Sequence, residues 1–94
     1  MEARIVRLAP GRYRVEVRGE DHTLGNLIVK KLMEAGLARF AYYEVPHPLE
    51  DRLIIYLNIG EDDDPREALD KAAALALEEL ESLKKDLGKA LRGS

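Results

Sequence analysis

The sequence predicts an α+β domain whose elements follow the order β-β-α-β-β-α. Three observations predict this fold class: two strand-like runs near the N-terminus, two more in the middle, and helical apolar spacing in two segments, the second of which fills the last third of the chain. Ninety-four residues suit one domain and leave little room for two, so a single domain over 1–94 is expected.

The first two strands are expected at 4–8 and 12–18, joined by the turn signal Ala-Pro-Gly at 9–11. In the second run apolar and charged residues alternate, which predicts a hairpin with one face toward a core and one toward water. The core-facing residues of that run are Tyr13, Val15 and Val17.

The first helix is expected at about 23–35, with Gly36 as the residue that ends it. Lys30, Lys31 and Glu34 are predicted to face solvent. Four apolar residues recur at helical spacing and predict a buried stripe: Leu24, Leu27, Ile28 and Leu32.

The third and fourth strands are expected at 39–45 and 52–59. Ile54 and Tyr56 make much of the second face of the fourth strand apolar. Either another chain covers that face, or this is a central strand with ordinary apolar surface residues. The first face of the strand carries Leu53, Ile55, Leu57 and Ile59.

The last helix has a clear N-terminal signal, with Asp64 as N-cap, Pro65 at the first helical position and Glu67 reaching back to complete a capping box. The helical pattern continues to about Leu91, roughly 27 residues and ~40 Å. Six residues on this helix follow the spacing of a helix–helix seam: Leu69, Ala73, Ala76, Leu80, Leu83 and Leu87.

This helix is longer than a sheet of such strands, which spans only ~20 Å along a strand. Its first half is apolar almost all round, and one sheet face cannot cover such a helix. One interpretation is that the helix folds over the sheet and frays at its end. The favoured interpretation is that a partner protein covers the leucines beyond the sheet, since each buried leucine contributes roughly 1.5–3 kcal/mol.

Composition limits the function further. The net charge is −3 and the basic residues are scattered among acids, so independent nucleic-acid binding is disfavoured. The chain has no cysteine and no signal-like N-terminus, and its longest apolar run is too short to cross a membrane. A cytoplasmic, soluble protein without membrane contact is expected.

No catalytic, cofactor or metal site is predicted. Asp21 and His22 could form an acid–base pair, but no nucleophile accompanies them, so a small hydrolase is a weak alternative. Metal-ligand spacing is absent around His22 and His47. A second alternative is a free-standing homodimeric regulatory module that binds a small ligand through His22, Asn26 and His47.

Two stretches resemble a known family. These are Glu-Asp-His-Thr-Leu-Gly-Asn at 20–26 and Phe-Ala-Tyr-Tyr-Glu-Val-Pro-His-Pro at 40–48. Together they resemble the signature of subunit L of archaeal DNA-directed RNA polymerase and its small alpha-like eukaryotic counterparts. The resemblance implies that the motif residues lie at or near contacts with other polymerase chains: Asp21, His22, Thr23, Leu24, Gly25, Asn26, His47 and Pro48.

The resemblance also implies a four-stranded antiparallel sheet with both helices on one face. It implies a non-catalytic member of a nucleotidyltransferase complex, which pairs through its helices with the larger alpha-like RNA polymerase subunit (D in archaea). The heterodimer then serves in transcription as the assembly platform for the large catalytic subunits, beside the small N and P subunits. The residues expected in the helix interface are Leu27, Ile28, Leu32, Leu69, Ala73, Ala76, Leu80, Leu83 and Leu87.

Overall fold

The computed structural model describes residues 2–19, 22–46 and 51–93. Within these residues it contains four strands and two helices in the predicted order, with bounds within two residues of those expected. The elements are β1 Glu2–Ala9, β2 Arg12–Arg18, α1 His22–Glu34, β3 Phe40–Glu44, β4 Arg52–Asn58 and α2 Pro65–Arg92.

The four strands form one antiparallel sheet in the order β1-β2-β4-β3. β4 is therefore a central strand, paired with β2 on one side and β3 on the other. Ile54 is only 6% exposed although it lies on the face opposite the helices, between its register partners Glu16 and Glu44. This central position explains why both faces of β4 are apolar.

The core lies between the other sheet face and the two helices, which confirms the predicted fold class. The inner residues of β2 and β4 meet α1 at Ile28 and Leu32 and α2 at its buried alanines. The sheet contributes Val15, Val17, Ala41, Leu53, Ile55 and Leu57 to this core.

Glycines form part of the turn between β1 and β2 and end α1. Gly36 has a φ of 66°, and the Leu37 N–H donates to Leu32 O at 2.9 Å, so Gly36 stops α1 as predicted. Gly11 has a φ of 75° and accepts from the Ile59 N–H at 2.8 Å. A side chain at Gly11 would collide with the carbonyl of Ile59, so this turn requires glycine.

The N-cap of α2 is as predicted, because Asp64 Oδ1 accepts from the Arg66 N–H at 3.0 Å. The expected capping box is wrong. Glu67 does not reach back; its carboxylate lies 3.0 Å from Lys71 Nζ, one turn further along the helix. An i,i+4 ion pair has taken the place of the backward hydrogen bond.

α2 is longer than the layer on which it packs. Its 28 residues span ~42 Å, whereas the eight residues of β1 span ~26 Å. The molecule accordingly measures 53 × 32 × 18 Å, and its radius of gyration is 14.9 Å. A compact domain of this length has a radius of gyration of ~12 Å, so the C-terminal part of α2 projects from the body.

Candidate subunit interface

α2 contacts the core of its own chain through three alanines spaced one turn apart. Ala68, Ala72 and Ala76 are 7%, 0% and 4% exposed. Their small side chains let the helix axis lie close to the rest of the core. This buried contact ends at Ala76, less than halfway along the helix.

Beyond Ala76 the apolar side of α2 is open to solvent. We call the four residues that form it the leucine stripe: Leu77, Leu80, Leu83 and Leu87. Their side chains are 58%, 40%, 61% and 56% exposed. Single exposed leucines are ordinary, but four along three turns of one helix form a continuous apolar surface.

The structure separates the residues that were expected in the helix interface into two groups. Ile28, Leu32 and Ala76 are buried in the chain's own core, and Leu27 and Leu69 are partly buried against it. The second group faces solvent and is available to a partner: Ala73, Leu80, Leu83 and Leu87.

The accessible surface supports the same conclusion. The chain exposes 6622 Å², whereas a monomeric protein of 10.6 kDa exposes ~5,500 Å². The excess of ~1,100 Å² exceeds the ~800 Å² that each partner contributes to a standard protein–protein interface.

Gly25 positions α1 on the sheet. It is buried near the start of the helix, and a β-carbon at this position would lie 2.7 Å from Tyr43 Cδ2 and 2.9 Å from Leu53 Cδ1. Both distances are shorter than a van der Waals contact. The glycine therefore allows α1 to rest directly on β3 and β4.

His22 lies at the start of α1 and contacts the same tyrosine. Its Nδ1 is 3.3 Å from the Tyr43 hydroxyl, and the two rings meet edge to face with centroids 5.6 Å apart. Leu24 is partly buried, whereas Thr23 and Asn26 are exposed. The remaining predicted motif residues lie outside the described residues: Asp21, His47 and Pro48.

A cluster of charges that sequence analysis did not identify joins α1 to α2. Glu79 Oε1 lies 3.0 Å from Lys31 Nζ and 3.4 Å from Lys30 Nζ, and Glu34 lies within 3.8 Å of both lysines. The prediction that Lys31 faces solvent is wrong, because its side chain is only 14% exposed. Helical spacing placed it on a polar face, and the close approach of α2 covers Lys31 but leaves Lys30 and Glu34 about half exposed.

Hydrogen bonding within this cluster shifts two pKa values. The hydrogen bond from Lys31 lowers the pKa of Glu79, with Lys30 adding to the effect. The same hydrogen bond raises the pKa of Lys31, against the effect of burial. The cluster therefore links α1 to α2 at Glu79, close to the start of the leucine stripe.

None of the His, Asp and Glu side chains in the described residues form a group of three that could hold a metal ion, and none of the polar or charged residues there is buried. Neither helix in the described segments combines the length and the apolar content that a bilayer span requires.

Comparison with known proteins decides the family. The sequence model of the RNA polymerase Rpb3/Rpb11 dimerisation domain family matches residues 12–86, which is most of the chain. The chain belongs to this family. Its leucine stripe lies on α2, the element that extends furthest from the sheet.

Several relatives are named as archaeal polymerase subunits. DNA-directed RNA polymerase subunit Rpo11 of Aeropyrum pernix is 43% identical over 75 residues, covering 80% of this chain and 76% of that protein. The Rpo11 subunit of Sulfurisphaera tokodaii is 36% identical, covering 90% of this chain and 99% of its own length.

A solved structure shares the fold. DNA-directed RNA polymerase subunit L from Thermoplasma acidophilum superposes with a TM-score of 0.60 over 97% of this chain and 85% of that chain. The two sequences are 24% identical. The superposition supports the β-β-α-β-β-α architecture with its long C-terminal helix.

Proposed function

We propose that this chain is the Rpo11/L-type subunit of an archaeal DNA-directed RNA polymerase and pairs through the leucine stripe with the larger alpha-like subunit (D in archaea), hereafter the alpha-like partner. The observation that carries the proposal is the leucine stripe itself: four leucines, 40–61% exposed, on a helix that extends beyond its own sheet. Burying four such side chains against a partner contributes several kcal/mol, which is comparable to the stability of many small domains.

The surroundings of the stripe support a helix-to-helix contact. Ala73 precedes it on an exposed part of α2 and leaves room for a close crossing. The contact of Glu79 with Lys31 ties α2 to α1 within the chain itself and so reduces the conformational freedom that is lost on binding. A heterodimer also accounts for the accessible surface that this chain exposes in excess of a compact monomer.

In this proposal the chain contributes no catalytic group to the polymerase. The heterodimer is the platform on which the large catalytic subunits assemble, together with the small N and P subunits. The net charge of −3 is consistent with contacts to protein instead of nucleic acid.

Coexpression with the alpha-like partner tests the proposal. Leu83→Asp places a carboxylate in the middle of the stripe and should abolish copurification of the two chains. Ala74→Asp is the matched control, because Ala74 is exposed and lies about nine residues away, on the opposite side of the helix. The control variant should copurify with the alpha-like partner as the unchanged chain does.

Two results would contradict the proposal. One is normal pairing of Leu83→Asp with the alpha-like partner. The other is a stable homodimer of this chain that persists when the alpha-like partner is added, which would favour a free-standing homodimeric module.

A further inference from the structure

The sheet face opposite the helices carries an aromatic cluster, in which Phe40 and Tyr42 are exposed and Tyr56 is partly buried. The Tyr42 and Tyr56 rings stack with centroids 4.7 Å apart and an interplanar angle of 17°. Phe40 is tilted by 51° against Tyr42 at 5.7 Å, and it is 52% exposed. The cluster borders an open groove of about 400 Å³, whose lining also includes Leu8, Arg12 and Asn58.

Carboxylates on this face are already engaged by neighbours. Glu16 contacts Arg4 Nε at 3.5 Å and Arg52 Nη1 at 3.4 Å. Glu44 accepts a hydrogen bond from the Tyr56 hydroxyl at 3.0 Å. The part of the face around Glu16 therefore has its charges satisfied within the chain.

The part around the aromatic cluster differs. Arg12 and Arg14 lie on β2 in register with Asn58 and Tyr56 of β4, and neither has a carboxylate partner among the described residues. The Nε atom of Arg14 is buried and finds no hydrogen-bond acceptor in that part of the chain. Within the described residues, two guanidinium groups without a carboxylate partner thus lie beside the aromatic cluster, and an anion from outside the chain would complement them.

We propose that this face binds an extended acidic segment of another polypeptide, with carboxylates two residues apart on Arg12 and Arg14 and an apolar side chain against the aromatic cluster. The spacing supports this occupant. Arg12 and Arg14 are two residues apart on one strand, ~6.7 Å, which equals the distance between alternate residues of an extended peptide. Alternate side chains of a peptide that lies along the strands point to the same side and can reach both arginines on β2, while the side chains between them point the other way, toward the aromatic cluster on β4 and β3.

A nucleic acid fits the same surface less well. Phosphate neutralisation by two cations would give weak binding, because nucleic-acid affinity grows with the number of phosphate contacts. Tyr42 and Tyr56 also stack on each other, so each has at most one ring face left for a base. The acidic-peptide surface lies on the opposite side of the sheet from the helices and does not depend on pairing with the alpha-like partner.

Peptide titration of the full chain tests the assignment. The probes are fluorescent heptapeptides in which aspartate alternates with phenylalanine, leucine or tyrosine, and counterparts with asparagine in place of aspartate. A single-stranded dodecathymidylate is titrated in parallel. We expect an aspartate peptide to bind about tenfold more tightly than its asparagine counterpart, and to bind more weakly as salt is added.

Single variants locate the site. Arg14→Gln and Arg12→Gln should each weaken binding of the aspartate peptide several-fold, and Tyr42→Ser should weaken both peptide series. Arg4→Gln is the matched control: it removes one positive charge from the same face, but Arg4 already contacts Glu16. The affinity of the Arg4→Gln variant for the aspartate peptide should stay within about twofold of that of the unchanged chain.

Three results would overturn the proposal. The first is equal affinity for aspartate and asparagine peptides, or no binding of either up to millimolar concentration. The second is that Arg4→Gln weakens binding of the aspartate peptide as much as Arg12→Gln or Arg14→Gln does, and the third is tighter binding of the dodecathymidylate than of every peptide. Circular dichroism of each variant confirms its fold. Copurification with the alpha-like partner is scored separately, so a failure of the proposed heterodimer is distinguishable from a failure of this surface.

Discussion

Gly25 of α1 lies directly against the ring of Tyr43 on β3, so close that a β-carbon at residue 25 would be 2.7 Å from Tyr43 Cδ2. The same β-carbon would be 2.9 Å from Leu53, which is fully buried. Tyr43 Cδ2 belongs to a rigid ring, and the Leu53 methyl has little room to move because its side chain is fully buried. The packing of α1 on the sheet thus requires that residue 25 has no side chain.

Gly25→Ala should destabilise the chain by about 1–3 kcal/mol, because α1 or the two side chains beneath it must move. Urea unfolding measures the change. Gly88→Ala is the control, since its β-carbon would meet only Arg92 Nη2 at an ordinary 3.6 Å. That variant should gain up to ~1 kcal/mol from helix propensity. A Gly25→Ala variant as stable as the unchanged chain would refute the packing argument.

Glu79→Gln should weaken the chain in a pH-dependent way. Because the pKa of Glu79 is lowered in the folded state by Lys31 and Lys30, its charge stabilises the fold above the carboxyl's ordinary pKa. That contribution is lost as the pH falls through the lowered value. The variant should therefore be less stable at neutral pH and equal to the unchanged chain in strong acid.

At high pH the stabilisation by the contact between Glu79 and Lys31 is limited by the ionisation of Lys31. Its pKa is raised, so its contribution is complete below the ordinary lysine pKa and disappears as the pH rises through the raised value. Thermal unfolding between these limits measures the difference. Glu81→Gln removes the same charge from an exposed residue on the same helix and should show no comparable pH dependence. Identical profiles for the two variants would contradict the assigned role of Glu79.

Asp64→Ala should cost about 0.5–2 kcal/mol, because it removes the acceptor for the Arg66 N–H at the start of α2. Asp64→Asn should keep most of the stability, since asparagine also caps helices well. Asp62→Ala is the control in the adjoining acidic loop, at an exposed residue, and should change the free energy of unfolding little. Equal effects of Asp62→Ala and Asp64→Ala would show that loop charge, not capping, matters here.

Local patterns in the sequence predicted every element of the fold, as well as the stop at Gly36 and the cap at Asp64. They did not predict that β4 would lie between β2 and β3, because strand pairing across an intervening helix depends on contacts between distant residues. That pairing also places Arg12 and Arg14, which have no carboxylate partner among the described residues, beside Asn58 and Tyr56 of β4. Their significance could be seen only once the partners of Glu16 were known.

The proposed interface residues on α2 were only partly separable from the core residues by sequence. The first half of α2 is apolar around most of its circumference, so spacing alone could not show which side meets its own sheet. The structure assigns that side to Ala68, Ala72 and Ala76, so that Ala76, which was expected in the seam with a partner, lies in the chain's own core. The exposure of the later leucines agrees with the prediction, because no part of the described chain covers them.

Hydrogen–deuterium exchange of this chain with and without the alpha-like partner tests the central claim most directly. Backbone amides of residues 77–92, which carry the leucine stripe, should exchange more slowly once the partner is bound, and those of β1 should change little. Unchanged exchange at 77–92 in the presence of the alpha-like partner would contradict the claim that a different protein covers this helix.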